Sequence, residues 1–141
     1  MRAVIDTNVL VAGLLWHGTP HALLLHLEAG TLSLISSPAL LAELERVLAR
    51  SKFDTALQCA GMTREQALQR IRRLAEVHEP LPLTEPVCRD PDDDKLLALA
   101  RSSRAACIVS GDDDLLVLQA FENIPILSPA QALQLLGERR Q

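Results

Sequence analysis

The feature that most constrains this chain is a short apolar run at its N-terminus that ends on a carboxylate. Ala3, Val4 and Ile5 follow Arg2, and the next residue is Asp6. Apolar and β-branched residues without a polar break are typical of a strand buried on both faces of a parallel sheet. Asp6 would lie at the carboxyl end of this strand, where open α/β sheets bind ligands. Asp6 is therefore either a functional carboxylate or the cap of the following helix.

Short apolar segments alternate with helical segments along the rest of the chain. Ser37-Pro38 and Thr19-Pro20 each predict an N-cap followed by the first helical residue, and Thr63 with Gln66 has the spacing of a capping box. This order predicts one domain over residues 1–141, an α/β/α three-layer sandwich around a central, mainly parallel sheet. The predicted strands are 2–5, 32–36, 105–110 and 124–127, and 79–83 is an edge strand or a connection. The predicted helices are 20–29, 38–50, 62–78, one containing 96–100, 115–121 and 128–137.

Composition narrows the class of protein. Aromatic residues make up 2% of the chain against 48% hydrophobic residues, so the core must be aliphatic, and aromatic platforms for single-stranded bases are not expected. Three cysteines without C-x-x-C spacing argue against a disulfide framework or a zinc site and favour a reducing compartment. No apolar stretch approaches the roughly 20 residues of a membrane span. We therefore expect a cytoplasmic protein with no membrane partner.

The acidic residues are unevenly distributed. The net charge is −4, but nine of the eighteen acids lie at positions 6, 43, 90, 92–94 and 112–114. The remaining nine stand against fourteen Lys and Arg, a formal charge of +5. A cluster of acidic residues on an otherwise mildly basic protein is compatible with a site that holds a cation against a phosphodiester. The arginines between 64 and 73 are expected on a solvated face, with RNA contact as the alternative. His17, His21 and His26 are expected in loops and at the surface.

A run of acids precedes the helix that contains 96–100. Asp90, Asp92, Asp93 and Asp94 could cap this helix, but four like charges repel unless they are protonated or bridged by a cation. The spacing puts Asp93 on the helix face that packs inward, whereas Asp94 points elsewhere. In the helix over 38–50, two glutamates, at 43 and 45, flank the apolar stripe, and the helical wheel does not choose between them.

Carboxylates from four segments converge in this topology. Asp6 and Asp112 follow predicted strands, and right-handed connections place both at one edge of the sheet, where the helices carrying Glu43 and Asp93 begin. Oxygen ligands in this number suit Mg²⁺ or Mn²⁺. The chemistry they favour is hydrolysis of a phosphodiester by metal-activated water.

At this point the sequence resembles PIN domains, the small metal-dependent nuclease fold that includes the VapC-type toxins of toxin–antitoxin pairs. The resemblance rests on four motifs in order: VIDTNV at 4–9, LAELERVL at 41–48, RDPDDDKLLALA at 89–100 and IVSGDDDLL at 108–116. It implies the acidic quartet Asp6, Glu43, Asp93 and Asp112, and so prefers Glu43 to Glu45. It further implies Asp114 as a fifth acid, Thr7, Asn8 and Ser110 as hydrogen-bonding support, and Asp90 as an organiser of its loop; Ser110 stands where the family more often has Thr.

The resemblance implies a Mg²⁺- or Mn²⁺-dependent ribonuclease that leaves 5′-phosphate and 3′-hydroxyl ends. It also implies RNA as substrate, an antitoxin protein as partner and a homodimer. A phosphatase of the haloacid-dehalogenase type also begins with a strand ending in Asp, but it needs a second Asp where this chain has Asn8. The remaining alternative is a metal-stabilised nucleic-acid-binding or regulatory module of the same fold without turnover.

Overall fold

A six-stranded sheet with the order β3-β2-β1-β4-β6-β5 forms the centre of the computed structural model. The structure describes residues 1–140, with side chains described through Gly137. All neighbouring strands pair in parallel except β5 and β6, so the prediction of a mainly parallel sheet is confirmed. The strands are β1 (Arg2–Ile5), β2 (Ser33–Ser36), β3 (Ala75–Val77), β4 (Cys107–Val109), β5 (Ala120–Phe121) and β6 (Ile124–Leu127).

Helices cover both faces of the sheet. Alternate residues of β1 show the two layers, because Ala3 and Ile5 belong to one apolar cluster and Val4 to the other. The first cluster is the larger and includes residues of α1, α2, α5 and α8, whereas the second is built mainly on α6. The helices are α1 (Thr7–Leu15), α2 (Thr19–Ala29), α3 (Pro38–Leu48), α4 (Asp54–Cys59), α5 (Arg64–Leu74), α6 (Pro91–Ser103), α7 (Asp113–Leu116) and α8 (Pro129–Arg140), with a 3₁₀ turn at Ser51–Phe53.

Most of the sequence signals for helix starts correspond to real caps. The Ser37 hydroxyl accepts a hydrogen bond from the Leu40 backbone N–H at 3.1 Å, and Thr63 and Gln66 form the predicted capping box. Thr19 is an exception, because Gly18 is the N-cap of α2 and no side chain caps this helix. None of the helices within residues 1–140 is long and apolar enough to cross a membrane.

The predicted helix over 62–78 is wrong at its C-terminal end. α5 ends at Leu74, and Ala75–Val77 forms β3, which pairs in parallel with β2 at the edge of the sheet. The backbone N–H groups of β2 need partners on both sides, and this demand overrides the helical pattern of the segment. Residues 79–83, the predicted edge strand or connection, form a connection.

The predicted helix over 115–121 is also wrong. In this segment the predicted alternation of strand and helix does not hold, because two strands follow each other. α7 is a single turn, and Ala120–Phe121 pairs antiparallel with β6. Glu122 and Asn123 link the two strands with positive φ angles of 48° and 68°. A two-residue hairpin favours such angles because they match the twist of the strands.

Candidate metal centre

The site begins where two central strands end together. β1 pairs with β4 with Ile5 opposite Val109, so the next residues of both strands leave the sheet at the same edge. The Asp6 backbone N–H donates to the Val109 carbonyl at 2.9 Å, which continues the ladder by one step. The Ser110 hydroxyl then donates to Asp6 Oδ2 at 2.8 Å and accepts from the Asp112 backbone N–H at 3.0 Å. Ser110 thus joins the two strand-end aspartates.

Both strand-end aspartates also cap helices. Asp6 Oδ1 accepts a long hydrogen bond, 3.4 Å, from the Asn8 backbone N–H at the start of α1. Asp112 Oδ1 accepts from the Asp114 backbone N–H at 2.9 Å at the start of α7. The two interpretations of Asp6 therefore do not exclude each other. Burial raises the pKa of Asp6 above its ordinary value and the charge of Asp112 adds to this rise, while the hydrogen bond from Ser110 opposes it.

Asp93 contributes the third carboxylate from the inward face of α6. Only 7% of the residue is exposed, and Oδ2 is buried without a hydrogen-bond partner among the residues that the structure describes. Burial, reinforced by the charge of Asp112 and then by smaller contributions from Asp90, Asp6 and Asp114, raises the pKa of the Asp93 carboxyl to about 6. We call Asp6, Asp93 and Asp112 the acidic centre.

The other acids at the start of α6 all have partners. Asp90 caps the helix by accepting from the Asp92 backbone N–H at 2.9 Å, and Asp92 itself pairs with Lys95 at 3.0 Å. Asp94 points away from the acidic centre and accepts from the backbone N–H of Cys88 at 2.8 Å. This anchoring of the preceding loop by Asp94 is a role that the sequence pattern does not signal.

Thr7 connects Glu43 to the acidic centre. The buried Thr7 follows Asp6 directly, and its hydroxyl donates to Glu43 Oε2 at 2.6 Å. Glu45 lies on the other side of α3, with 62% of its side chain exposed and its carboxylate 4.0 Å from Arg72. The geometry therefore separates the two glutamates that the helical wheel leaves equivalent, with Glu43 next to the strand-end loop.

The donor chemistry of the acidic centre fits a divalent cation. In the part of the chain that the structure describes, no three His, Cys, Asp or Glu side chains stand in a ready metal-binding arrangement. Mg²⁺ does not require one, because it keeps several waters and binds through one or two carboxylates together with substrate phosphates. The oxygen-only donors, the unpartnered Oδ2 of Asp93 and the mutual repulsion of the carboxylates all suit such an ion.

Comparison with known proteins gives a family and a similar fold. The sequence matches the family model described as PIN domain over residues 2–114. Among solved structures, VapBC2 from Rickettsia felis, bound to a DNA fragment from its promoter, has a similar chain with a TM-score of 0.56 and 16% identity. The match covers 91% of this chain and 98% of that one, and it confirms the predicted fold. No curated protein sequence matches.

Proposed function

The chain belongs to the PIN-domain family, and from this membership together with the acidic centre we propose that it is a Mg²⁺- or Mn²⁺-dependent ribonuclease. The observation that carries the proposal is Asp93, a buried carboxylate that lies near other carboxylates and has one oxygen without a hydrogen-bond partner among the described residues. Burying a charge without a partner is costly, so its retention calls for a ligand. A divalent cation would supply the missing positive charge.

Asp6, Asp93 and Asp112 would hold the cation, with Glu43 and Asp114 beside them. When bound, the ion activates water and stabilises charge on the scissile phosphate. The protein's own part is to hold the carboxylates in position before substrate arrives: Ser110 fixes Asp6, and Thr7 fixes Glu43. Hydrolysis would leave 5′-phosphate and 3′-hydroxyl ends.

The proposal extends to partners. A solved structure with a similar fold is VapBC2 from Rickettsia felis, bound to a DNA fragment from its promoter. We infer that this chain acts in the cytoplasm as the toxin of a toxin–antitoxin pair, restrained by an antitoxin protein, and that it forms a homodimer. Light scattering on the purified chain measures its oligomeric state, and co-expression with the adjacent open reading frame tests for the antitoxin.

Cleavage of a mixed pool of structured RNA tests the central activity. The wild-type protein is incubated with Mn²⁺, Mg²⁺ or EDTA, beside Asp6→Asn and the control Asp92→Asn, whose parent carboxylate is on the surface. We expect cutting by the wild type and the control with metal, and none with EDTA or with Asp6→Asn. Full metal-dependent cutting by Asp6→Asn would refute the assignment.

The alternative function is a metal-stabilised module that binds nucleic acid without cleaving it. Such a module would use the same acidic centre to hold the metal, and it would differ from the proposed nuclease only in the absence of turnover. Titration of Mg²⁺ against melting temperature and against cleavage separates the two functions. A module would gain thermal stability and cut nothing, whereas a nuclease would gain both stability and activity over the same range of metal concentration.

A further inference from the structure

A groove of about 420 Å³ opens beside the acidic centre, between the starts of α1 and α2 and the loop that follows β4. Two members of the acidic centre, Asp6 and Asp112, line one part of it. Its volume is within the range of about 300–1,000 Å³ that is usual for small-ligand sites. We call this the Asn8 groove, and its other lining residues are Asn8, Val9, Ala12, Pro20, Gly111 and Pro129.

The walls of the Asn8 groove suit an uncharged group. Val9, Ala12, Pro20 and Pro129 give it apolar surfaces, and no cationic side chain is among its lining residues. A phosphate would find nothing there to neutralise it. A planar, uncharged ring would instead bury its faces against aliphatic and proline side chains, as extruded bases do in enzyme pockets.

Asn8 supplies the groove with hydrogen-bonding capacity that the fold does not use. Its backbone N–H donates to Asp6, but its exposed side chain has no hydrogen-bond partner within the described residues. A carboxamide offers a donor and an acceptor side by side. The edge of a nucleobase presents the complementary pair, and asparagine commonly makes such bidentate contacts with bases.

We propose that the Asn8 groove holds one unpaired nucleobase of the RNA next to the cleaved bond, and that Asn8 is a specificity-determining residue that reads its edge. The inference rests on the proposed nuclease function, because it takes the acidic centre as the place of the scissile phosphate. The nucleotide adjoining that phosphate is the part of the substrate within reach of the groove. The base must be unpaired, because a base inside a duplex cannot turn its edge and face into a side groove.

The first test observes Asn8 directly and does not depend on turnover. The chain has two asparagines, Asn8 and Asn123, so the side-chain amide signals of ¹⁵N-labelled protein are assigned with the variant Asn8→Ala. The four ribonucleoside 5′-monophosphates are added one at a time with Mg²⁺, and ribose 5-phosphate serves as the ligand without a base. We expect at least one nucleotide to shift the Asn8 amide signals more than ribose 5-phosphate does, while those of Asn123 stay in place.

Two results of this titration would overturn the inference. One is an Asn8 amide that no nucleotide moves. The other is an Asn8 amide that ribose 5-phosphate moves as far as the nucleotides do, since the base would then contribute nothing. Shifts at Asn8 in a protein that cuts no RNA would keep the Asn8 groove and reject the proposed nuclease function, so the two failures are distinguishable.

The second test maps the bases that flank the cuts in a random RNA pool. We expect the wild type to prefer one base at one flanking position about fivefold or more, as a single bidentate contact allows. Asn8→Ala should erase this preference, and Ala12→Leu, which fills the groove, should lower the cleavage rate. Gln58→Ala removes an exposed carboxamide on α4 and should change neither. Thermal melts verify that each variant is folded. An unchanged base preference in Asn8→Ala would refute the role of Asn8.

Discussion

At the acidic centre, carboxylates lie near one another, whereas two arginines of α5 form ion pairs with acidic side chains. Arg70 pairs with Glu28 at 2.7 Å, and Arg64 pairs with Asp54. The acidic centre instead places Asp93 near Asp6 and Asp112 with no cationic side chain paired to it within the described residues. The fold therefore pairs these two α5 arginines with acids on the surface, whereas the buried Asp93 has no cationic partner among the described residues.

This difference in charge pairing indicates different roles for the acidic centre and the α5 surface. Exposed ion pairs on a helix contribute little to stability and constrain little. A buried carboxylate beside like charges lowers the stability of the free protein at neutral pH, and this cost is recovered when a cation binds or the carboxyl takes up a proton. We therefore propose that the acidic centre is prepared for a ligand, whereas the α5 surface is a solvated face. The alternative of RNA contact by these arginines has less support, because Arg64 and Arg70 are already paired.

The largest expected effect is a difference in RNA cleavage between substitutions at the two glutamates of α3. Glu43→Gln should lower the rate of metal-dependent RNA cleavage by about 100-fold, the upper end of what outer contacts of a metal site contribute. Glu45→Gln should lower it less than about twofold, because a surface substitution away from the site has little effect. Single-turnover cleavage with saturating Mn²⁺ measures both. Equal losses in the two variants would remove Glu43 from the site.

The next effect concerns the stability of the metal-free protein. Asp93→Asn removes a buried carboxylate whose pKa is raised from 3.8 to about 6. At pH 7 it should raise the free energy of unfolding in EDTA by up to about 3 kcal/mol, at 1.36 kcal/mol per pKa unit. Asp92→Asn, which removes an exposed neighbour paired with Lys95, should stay within about 0.5 kcal/mol of the wild type. Urea titration measures both, and a destabilised Asp93→Asn would contradict the account.

The raised pKa of Asp93 also predicts how the stability of the metal-free protein depends on pH. Because the folded protein holds the Asp93 proton up to about pH 6 and the unfolded chain releases it near pH 4, folding takes up a proton between these values. The contribution of Asp93 to stability is therefore greatest below pH 4 and is lost as pH rises to 6. The difference in unfolding free energy between Asp93→Asn and the wild type in EDTA should grow over this window and level off above it. A flat difference would contradict the raised pKa.

A smaller effect is expected at the hydroxyl that joins the two strand ends. Ser110→Ala removes the donor to Asp6 and the acceptor for the Asp112 backbone, so cleavage should fall by about 10- to 100-fold. Ser110→Thr keeps the hydroxyl and should retain most activity. Steady-state cleavage rates at several Mn²⁺ concentrations measure whether the loss lies in metal affinity. Equal activity of the two variants would show that the hydroxyl has no positioning role.

The smallest effect is expected on the α5 surface. Arg70→Gln breaks the pair with Glu28, whose side chain is 37% exposed, and should cost about 0.2–1 kcal/mol of stability. Cleavage should not change. A large loss of cleavage with intact folding would restore the α5 arginines as an RNA-contacting surface and would erase the contrast between the two regions.

The sequence predicts the structure best where local chemistry and global topology agree. Ser37, Thr63 and Asp90 each cap a helix through a short-range hydrogen bond, which a local pattern can encode. The parallel sheet followed from buried strands separated by helices. The juxtaposition of Asp6 with Asp112 followed from the rule that such strands end at one edge.

The remaining features depend on distant partners. The local pattern over β3 predicts helix because its strand state is imposed by β2, about forty residues away. The same holds for β5, which is a strand because it pairs with β6. At the site, Glu43 and Glu45 are equivalent on a helical wheel, and the hydroxyl of Thr7 is what distinguishes them in space. The sequence likewise does not show that the side-chain amide of Asn8 lacks a hydrogen-bond partner among the described residues, because this depends on which residues lie near it in space.

Direct measurement of metal binding tests the central claim that the acidic centre is a divalent-cation site. Isothermal titration with Mn²⁺ is performed on the wild type, Asp93→Asn and Asp92→Asn at pH 7.5 without RNA. We predict saturable binding by the wild type and by Asp92→Asn, and affinity at least about tenfold weaker for Asp93→Asn. Equal affinity in all three proteins, or no saturable binding by the wild type, would contradict the account.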